Sequence, residues 1–305
     1  SPRDALIADV TTISQRGAAF GFHRSLDHAG AVIGPLAATV LLGAAGLSVR
    51  QVFLLAIVPA VVVILILLVG LHEPEPRVPV SEAPRPTPDA PSLPRGFRML
   101  LAAVLIFTLG NSTDAFLILR LSAAGVAAAW IATLWSLHHV VKMIATYLGG
   151  RFSDRVGYRR MILFGWVVYA GIYLGFAVWS ERQVLIALFL SYGLYFGFTE
   201  PAEKAWVSAL APEAIRGRAF GYYHAVIGLG SLPASLLFGF LWKVWGASVA
   251  FTVGAGLALL ASCMLALVNP SPDPRDRHSG AGNGRRAGPT GGDAPECSVS
   301  CQACR

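Results

Sequence analysis

The chain has 305 residues, of which 55% are hydrophobic and only 13% are charged, and its formal net charge is +7. A soluble domain carries about a quarter charged residues because its surface faces water, so this composition excludes an ordinary soluble protein. The positive charge does not indicate a nucleic-acid partner, because the basic residues collect in the loops on one side of the hydrophobic segments.

Eight hydrophobic segments are predicted to cross a membrane as α-helices. A hydrocarbon core about 30 Å thick requires about 20 apolar residues at 1.5 Å per residue. The segments cover about residues 17–45, 51–71, 98–122, 126–149, 159–180, 183–205, 216–243 and 246–268. The predicted fold class is therefore an all-α membrane protein.

Two polar stretches divide the chain into parts. Residues 72–97 are crowded with proline and mixed charge, which predicts an extended linker, and residues 269–305 are rich in Gly, Pro and Arg, which predicts a disordered tail. Cytoplasmic loops are enriched in Lys and Arg. Since most basic residues lie on the side of the linker and the tail, we expect both in the cytoplasm.

An internal repeat relates the two sides of the linker. The sequence R-G-A-A-F-G at residues 16–21 recurs as R-G-R-A-F-G at residues 216–221, and a one-residue gap also aligns Asp4 with Glu203. Duplicated halves are a recurrent plan of secondary transporters. Four predicted spans lie between the linker and the second copy, whereas almost nothing precedes the first. We therefore expect an intact protein of twelve helices, of which this chain holds about eight.

A glycine- and arginine-rich motif follows the fourth span. It runs from residue 150 to residue 160 and resembles the G-x-x-x-D-R-x-G-R-R loop of the major facilitator superfamily, with Tyr158 where that family often has Arg. The matching residues are Gly150, Asp154, Arg155, Gly157, Arg159 and Arg160. Glycines allow a tight helix reversal, and a carboxylate can accept hydrogen bonds at a helix N-terminus. We expect Asp154 to contact the helix start around residues 16–19.

The resemblance covers about residues 1–268 and implies a bundle of the major facilitator type. It assigns residues 1–71 to the end of the fourth helix and to helices five and six of an N-terminal six-helix bundle. Residues 98–268 would form helices seven to twelve of the C-terminal bundle. The two helix-start motifs, which consist of Arg16 with Gly17 and of Arg216 with Gly217, would then occupy equivalent positions.

Ionisable and polar residues inside the spans are the candidate site residues. A charge in the membrane costs about 2.5–3.5 kcal/mol on insertion scales and is by default functional, and a carboxylate or a histidine can carry a coupled proton. The candidates for the substrate or proton pathway are Asp114, Asn111, His138, Lys142, Glu200, Glu203, His224 and Asp27. Asp114 is the first choice, because it lies in the middle of its span without an opposite charge one turn away. Glu200 could instead pair with Lys204 one turn later.

The predicted function is secondary active transport by alternating access, with proton-coupled export of a small molecule. We expect a monomer in the bacterial inner membrane, whose partners are the lipid bilayer, protons and a small-molecule substrate. The alternative is a non-transporting receptor or scaffold of the same fold, which would need no acid within the membrane. An enzyme is not expected, nor is a cofactor or a metal. Only Cys297, Cys301 and Cys304 have a spacing that resembles a cluster-binding enzyme, and they lie at the extreme end of the tail.

Overall fold

A computed structural model of the chain describes residues 2–70 and 93–267, apart from the side chains of residues 128 and 129. In this part of the chain every regular element is a helix. The α-helices are α1 (Pro2–Val10), α2 (Arg16–Gly43), α3 (Val49–Leu55), α4 (Ile57–Gly70), α5 (Arg95–Gly110), α6 (Ala115–Ala123), α7 (Ala128–Val156), α8 (Tyr158–Val178), α9 (Arg182–Leu210), α10 (Arg216–Trp245) and α11 (Ala247–Ala266). Short 3₁₀ turns, Ile13–Gln15 and Glu213–Ile215, precede α2 and α10.

The helices confirm the predicted all-α membrane fold. Seven helical segments of the described residues are long and apolar enough to cross a membrane: Ile13–Gly43, Val49–Gly70, Arg95–Ala123, Tyr158–Val178, Arg182–Leu210, Glu213–Trp245 and Ala247–Ala266. Helix α7 has 29 residues and is equally long, but it carries polar side chains in its middle. Together they make the eight membrane-length segments that the sequence predicts.

The third predicted span is interrupted, contrary to the expectation of one continuous helix. Helix α5 ends at Gly110, Asn111 adopts an extended conformation (φ −95°, ψ 92°), and α6 begins at Ala115. Asn111 and Asp114 therefore do not lie one turn apart on a single helix. The physical reason lies in the local sequence, because Asn, Ser, Thr and Asp side chains compete with the helical backbone for hydrogen bonds and favour its ends.

Buried aromatic rings and close glycine contacts hold the second half together. Phe107 of α5 stacks on Trp166 of α8, with 4.7 Å between the ring centroids. A Cβ atom placed on Gly193 of α9 would lie 2.9 Å from Val141 Cγ1, and one on Gly197 would lie 2.7 Å from the Cβ of Ala145. Small residues four positions apart allow membrane helices to approach to backbone contact. Helices α7 and α9 are packed in this way.

The repeat in the sequence is also a repeat in the structure. Helices α1 and α9 end at residues 10 and 210, the two 3₁₀ turns begin at residues 13 and 213, and α2 and α10 begin at residues 16 and 216. The offset is 200 throughout, so no gap is needed. Lys204, rather than Glu203, is the counterpart of Asp4, which corrects the alignment made from the sequence.

Some sequence predictions lie outside the described residues. These are most of the linker and the whole tail after residue 267, including the three tail cysteines.

Helices α3 and α4 bury none of their residues, and their surface is almost entirely apolar. Such a surface fits contact with lipid chains or with other apolar helices.

Candidate functional site

The break between α5 and α6 places Asp114 inside the helix bundle. One carboxylate oxygen, Oδ1, accepts a hydrogen bond from the hydroxyl of Tyr192 at 3.2 Å. The other, Oδ2, lies 3.4 Å from the ammonium nitrogen of Lys142. The sequence made Asp114 the first candidate for the pathway, and the structure surrounds its carboxylate with groups of α7 and α9. The sequence did not predict the opposite charge, because Lys142 belongs to α7 and reaches Asp114 only through tertiary packing.

Four buried tyrosines surround the break, and we call them the tyrosine cluster: Tyr169 and Tyr173 of α8, and Tyr192 and Tyr195 of α9. The side-chain oxygen of Asn111 lies 3.4 Å from the hydroxyls of Tyr169 and Tyr192, and its amide nitrogen lies 3.5 Å from the hydroxyl of Tyr195. The side chain of Asn111 therefore lies among three phenol hydroxyls. The cluster keeps the irregular backbone at this point among polar partners, as a membrane interior requires.

Further hydrogen bonds from the tyrosine cluster reach the backbone of the break. The hydroxyl of Tyr169 donates to the carbonyl oxygen of Gly110 at 3.0 Å, and the hydroxyls of Tyr173 and Ser112 lie 3.3 Å apart. Sequence reasoning did not identify these tyrosines. Their spacing was a usable signal, because residues three or four positions apart share one face of a helix. One such face belongs to α8 and one to α9, and the tyrosines of both contact the break between α5 and α6.

Lys142 and His138 lie one turn apart on α7 and are enclosed by aromatic rings. The ammonium nitrogen of Lys142 lies 3.6 Å from the centroid of the Phe196 ring, and only 5% of the side chain is exposed. The imidazole of His138 is fully buried between Phe189 and Tyr192, with ring centroids at 4.6 Å and 5.6 Å. Both predicted candidates therefore belong to the same site as Asp114.

A second group of charges joins α2 to α9, and we call it the inter-half cluster: Arg24, Asp27, His28 and Glu200. The carboxylate of Glu200 accepts two hydrogen bonds from the Arg24 guanidinium, at 2.8 Å and 2.5 Å, and lies 3.4 Å from His28 Nε2. Arg24 also binds Asp27 at 3.0 Å. The alternative pairing of Glu200 with Lys204 on its own helix is not found, because the planar guanidinium of Arg24 binds both carboxylate oxygens of Glu200.

A third group connects α1 to the second half. Lys204 Nζ lies 3.2 Å from Oδ1 of Asp4, and His224 Nε2 lies 2.6 Å from Oδ2 of the same carboxylate. Asp4 is almost completely buried. The predicted candidate His224 therefore takes part in a contact between the halves.

Glu203 is buried among other side chains of the second half. Its carboxylate accepts a hydrogen bond from the hydroxyl of Tyr223 at 2.6 Å and one from the indole nitrogen of Trp166 at 3.3 Å. The side chain of this pathway candidate is buried in the bundle. Among the described residues there is no group of three or more His, Cys, Asp or Glu side chains arranged to hold a metal ion.

The carboxylate of Asp154 closes one end of the interface between the halves. Oδ1 and Oδ2 accept hydrogen bonds from the backbone N–H groups of Gly17 and Ala18, both at 2.8 Å. The N–H groups in the first turn of a helix have no acceptor within the helix, and the helix N-terminus favours an anion. The contact is the one that the sequence predicts. The hydroxyl of Tyr158 lies 3.0 Å from the carbonyl oxygen of Ile13 and 3.1 Å from Asp154 Oδ1.

The predicted loop around Asp154 is mostly helical. Residues 150–156 are the last two turns of α7, and the reversal into α8 takes place at Gly157 alone, with φ +99°. Only glycine adopts this backbone conformation without strain. Arg159 donates to the carbonyl oxygens of Leu265 and Ala266 at the end of α11, whereas Arg155 and Arg160 are exposed.

The two helix-start motifs differ in what they contact. The Arg16 guanidinium donates to the carbonyl oxygens of Ser208 (3.3 Å) and Ala8 (3.2 Å), and Arg216 binds the carboxylate of Asp9. A Cβ atom on Gly17 would lie 2.7 Å from Asp154 Oδ1, whereas one on Gly217 would meet no atom within 4 Å. Gly17 is therefore closely packed, whereas its counterpart in the repeat, Gly217, is not.

Comparison with known proteins agrees with this architecture. The sequence matches the Major Facilitator Superfamily over residues 1–127 and 115–291. It is 31% identical over 281 residues to an uncharacterised MFS-type transporter of Methanocaldococcus jannaschii, a match that covers 88% of this chain and 68% of the relative. An uncharacterised protein of Mycobacterium tuberculosis is 25% identical over 271 residues, which are 86% of this chain and 65% of that protein.

A shorter match joins the chain to Multidrug resistance protein 1 of Bacillus subtilis, with 26% identity over 140 residues, 45% of this chain and 36% of that protein. The chain spans about two thirds of the length of the archaeal and mycobacterial relatives. The family match extends over most of the chain, and the archaeal relative is similar over nearly all of it. The chain therefore belongs to the Major Facilitator Superfamily, a family of membrane transporters.

Proposed function

We propose that the protein is a secondary active transporter that exports a small molecule in exchange for protons by alternating access. One observation carries the proposal, namely the interruption of the α5–α6 span that presents Asp114 to the bundle interior. Interrupted helices at membrane depth are typical of substrate and ion sites in transporters. An ionisable residue at such a place is by default functional. Asp114 is the proposed proton-binding group.

The contacts between the halves support a rocking movement. Asp154 with the start of α2, Arg24 with Glu200, and Asp4 with Lys204 all join α1 or α2 to the helices after the linker. We assign residues 1–71 to one bundle and residues 98–268 to the other. Hydrogen bonds and ion pairs can break and reform without repacking of a core, so they suit an interface that opens and closes in each cycle.

The proposed orientation places the Asp154 end of the bundle, the linker and the C-terminus in the cytoplasm. The basic residues of this end, among them Arg151, Arg155 and Arg160, are exposed. Positive residues accumulate in cytoplasmic loops. The membrane would be the inner membrane of a bacterium, and the transporter would act as a monomer.

Two observations favour export over uptake. The chain is similar over 140 residues to a relative named Multidrug resistance protein 1. The aromatic rings around Lys142 and His138 would suit a substrate with apolar groups.

A flux measurement in liposomes tests this function. The protein, produced from its whole coding sequence, is reconstituted with a pH-sensitive dye inside, and a panel of organic cations, sugars and organic acids is added under an imposed proton gradient. A member of the panel should move protons in the wild-type protein, and Asp114→Asn should abolish this movement at equal insertion. Glu181→Gln, an exposed carboxylate at the start of α9, serves as the control. Wild-type flux in Asp114→Asn would overturn the assignment of the proton site.

A further inference from the structure

The site at Asp114 points to a more specific ligand, and this step rests on the proposed transport function. We infer that the site binds an organic ammonium ion, and that the ammonium group of Lys142 occupies the site as an internal substitute while no substrate is bound. The substrate class would be a cation with apolar or aromatic groups on or near its nitrogen.

The surroundings of Lys142 Nζ are those of a bound ammonium ligand. The nitrogen lies 3.4 Å from Asp114 Oδ2, 3.6 Å from the centroid of the Phe196 ring and 6.0 Å from the centroid of the Tyr192 ring. A carboxylate together with aromatic faces is the chemistry by which proteins recognise alkylammonium groups. A substrate ammonium placed at the same point would meet the same three partners.

The local charge favours a cation over an anion. The charged groups around Lys142 are Asp114, Glu200 and Arg24. Arg24 is already bound to both Glu200 and Asp27. Among the described residues, Lys142 is the cation paired with Asp114, so withdrawal of Lys142 leaves a carboxylate that requires a new positive partner. An anion at this point would face that carboxylate instead.

The other polar groups that face the site come from three helices. They are His138 and His139 of α7, Tyr192 of α9 and His28 of α2, whose ring centroid lies 5.7 Å from that of His139. The face of the Phe196 ring lies against the ammonium group of Lys142. Tyr192, whose hydroxyl donates to Asp114, stacks on the buried imidazole of His138.

Lysine is suited to be displaced and to return. Its four-carbon stem lets the ammonium group leave a site by rotation about side-chain bonds, without movement of the backbone. When one ammonium group replaces another, the negative charge of the Asp114 carboxylate always has a positive partner. A proton on Asp114 would release either ammonium, which links the site to proton exchange.

Binding measurements on the whole protein in detergent test the inference. The probes are benzyltrimethylammonium and, as an anion of similar size, phenylacetate. Lys142→Met removes the internal competitor but keeps an unbranched side chain, so the cation should bind about tenfold more tightly or better. The measurement is made at alkaline pH, so that a proton does not replace the missing ammonium on Asp114. Asp114→Asn should abolish cation binding both alone and combined with Lys142→Met.

Lys142→Arg supplies a second test that keeps the charge, in case Lys142→Met does not fold. Arginine can hold a carboxylate through two parallel hydrogen bonds. It should therefore be a stronger internal competitor and lower the affinity for the cation. Opposite effects of the two variants would distinguish competition from a merely structural role of Lys142.

Several results would overturn the inference. Unchanged or weaker cation binding in Lys142→Met, tighter binding in Lys142→Arg, or phenylacetate binding that depends on Lys142 would each do so. Proton-coupled flux of a neutral or anionic solute with none of the expected cation binding would sink the inference but leave the proposed function intact. The expected binding pattern without any flux would support the cation site and remove the transport function.

Discussion

Asp4 and Lys204 occupy equivalent positions in the two copies of the internal repeat and form an ion pair with each other, with Lys204 Nζ 3.2 Å from Asp4 Oδ1. The rings of Phe20 and Phe220, also equivalent, lie in contact with their centroids 6.0 Å apart. Equivalent residues that touch must lie near the axis that relates the halves. Identical charges at residues 4 and 204 would repel, so the difference between Asp and Lys turns a symmetric contact into an attractive one.

The hydrogen bonds of Asp154 predict a weakened closed state in Asp154→Asn. An asparagine keeps one acceptor oxygen but loses the charge and the second acceptor, so one bond to α2 is lost. The loss of about 1–2 kcal/mol should shift the balance between closed and open forms about tenfold and slow transport without preventing insertion. The measurement is initial flux at equal protein in liposomes. Flux equal to that of the wild type would show that Asp154 does not control closure.

The packing of Gly17 predicts a difference between two chemically identical substitutions. A methyl group at residue 17 would collide with Asp154, whereas one at residue 217 meets open space. Gly17→Ala should lower the melting temperature in detergent. Gly217→Ala should leave it unchanged or raise it, because alanine favours the helix over glycine by about 0.5–1 kcal/mol. Equal effects of the two substitutions would contradict the close contact between α2 and α7.

The ion pair of Arg24 and Glu200 predicts coupled effects on stability. Each group is partly exposed, so Arg24→Gln and Glu200→Gln should each cost less than the about 3–5 kcal/mol of a fully buried pair. The double variant should lose less stability than the sum of the two, because the second substitution removes a charge that already lacks its partner. Thermal unfolding of the four proteins measures this coupling. Additive losses would mean that the pair contributes nothing between the halves.

The bond between Tyr223 and Glu203 predicts unequal effects at two adjacent tyrosines. Tyr223→Phe removes a donor 2.6 Å from a buried carboxylate and should cost about 1–3 kcal/mol of stability. Tyr222→Phe should be nearly neutral, because that side chain is exposed. Thermal unfolding of the two variants under identical conditions gives the comparison. A larger loss at residue 222 would exclude Glu203 as a buried acceptor in the folded protein.

Much of the fold could be predicted because its determinants are local. The length of an apolar run and the positions of Arg16 and Arg216 identify the helices and their starts, and the Asp154 motif identified its contact with α2. The predicted span ended at residue 149, seven residues before the end of α7. Residues 150–156 continue the helix, but they are too polar to extend a hydrophobic segment.

The site was harder to predict because its partners come from different helices. Averaged hydropathy does not register competition between side chains and backbone, so the break at residues 111–114 was missed. Lys142 meets Asp114 only after α7 packs beside α9, whose Tyr192 also contacts Asp114, and Arg24 meets Glu200 only after α2 packs beside α9. Sequence spacing shows which residues share a helix face, but it does not show which faces meet.

The contact of α2 with α7 has a further consequence for the way the halves separate. At Gly17, Gly21 and Gly150 the two backbones approach each other closely, and at Gly17 the side chains of Ser153 and Asp154 also make contact. Rejoining the helices at these glycines therefore orders few side chains, and the side-chain entropy cost is small. The attraction resides in short, directional hydrogen bonds, which weaken steeply once the donor and the acceptor move apart. This end of the interface should therefore open and close cooperatively, in one step rather than by gradual loosening.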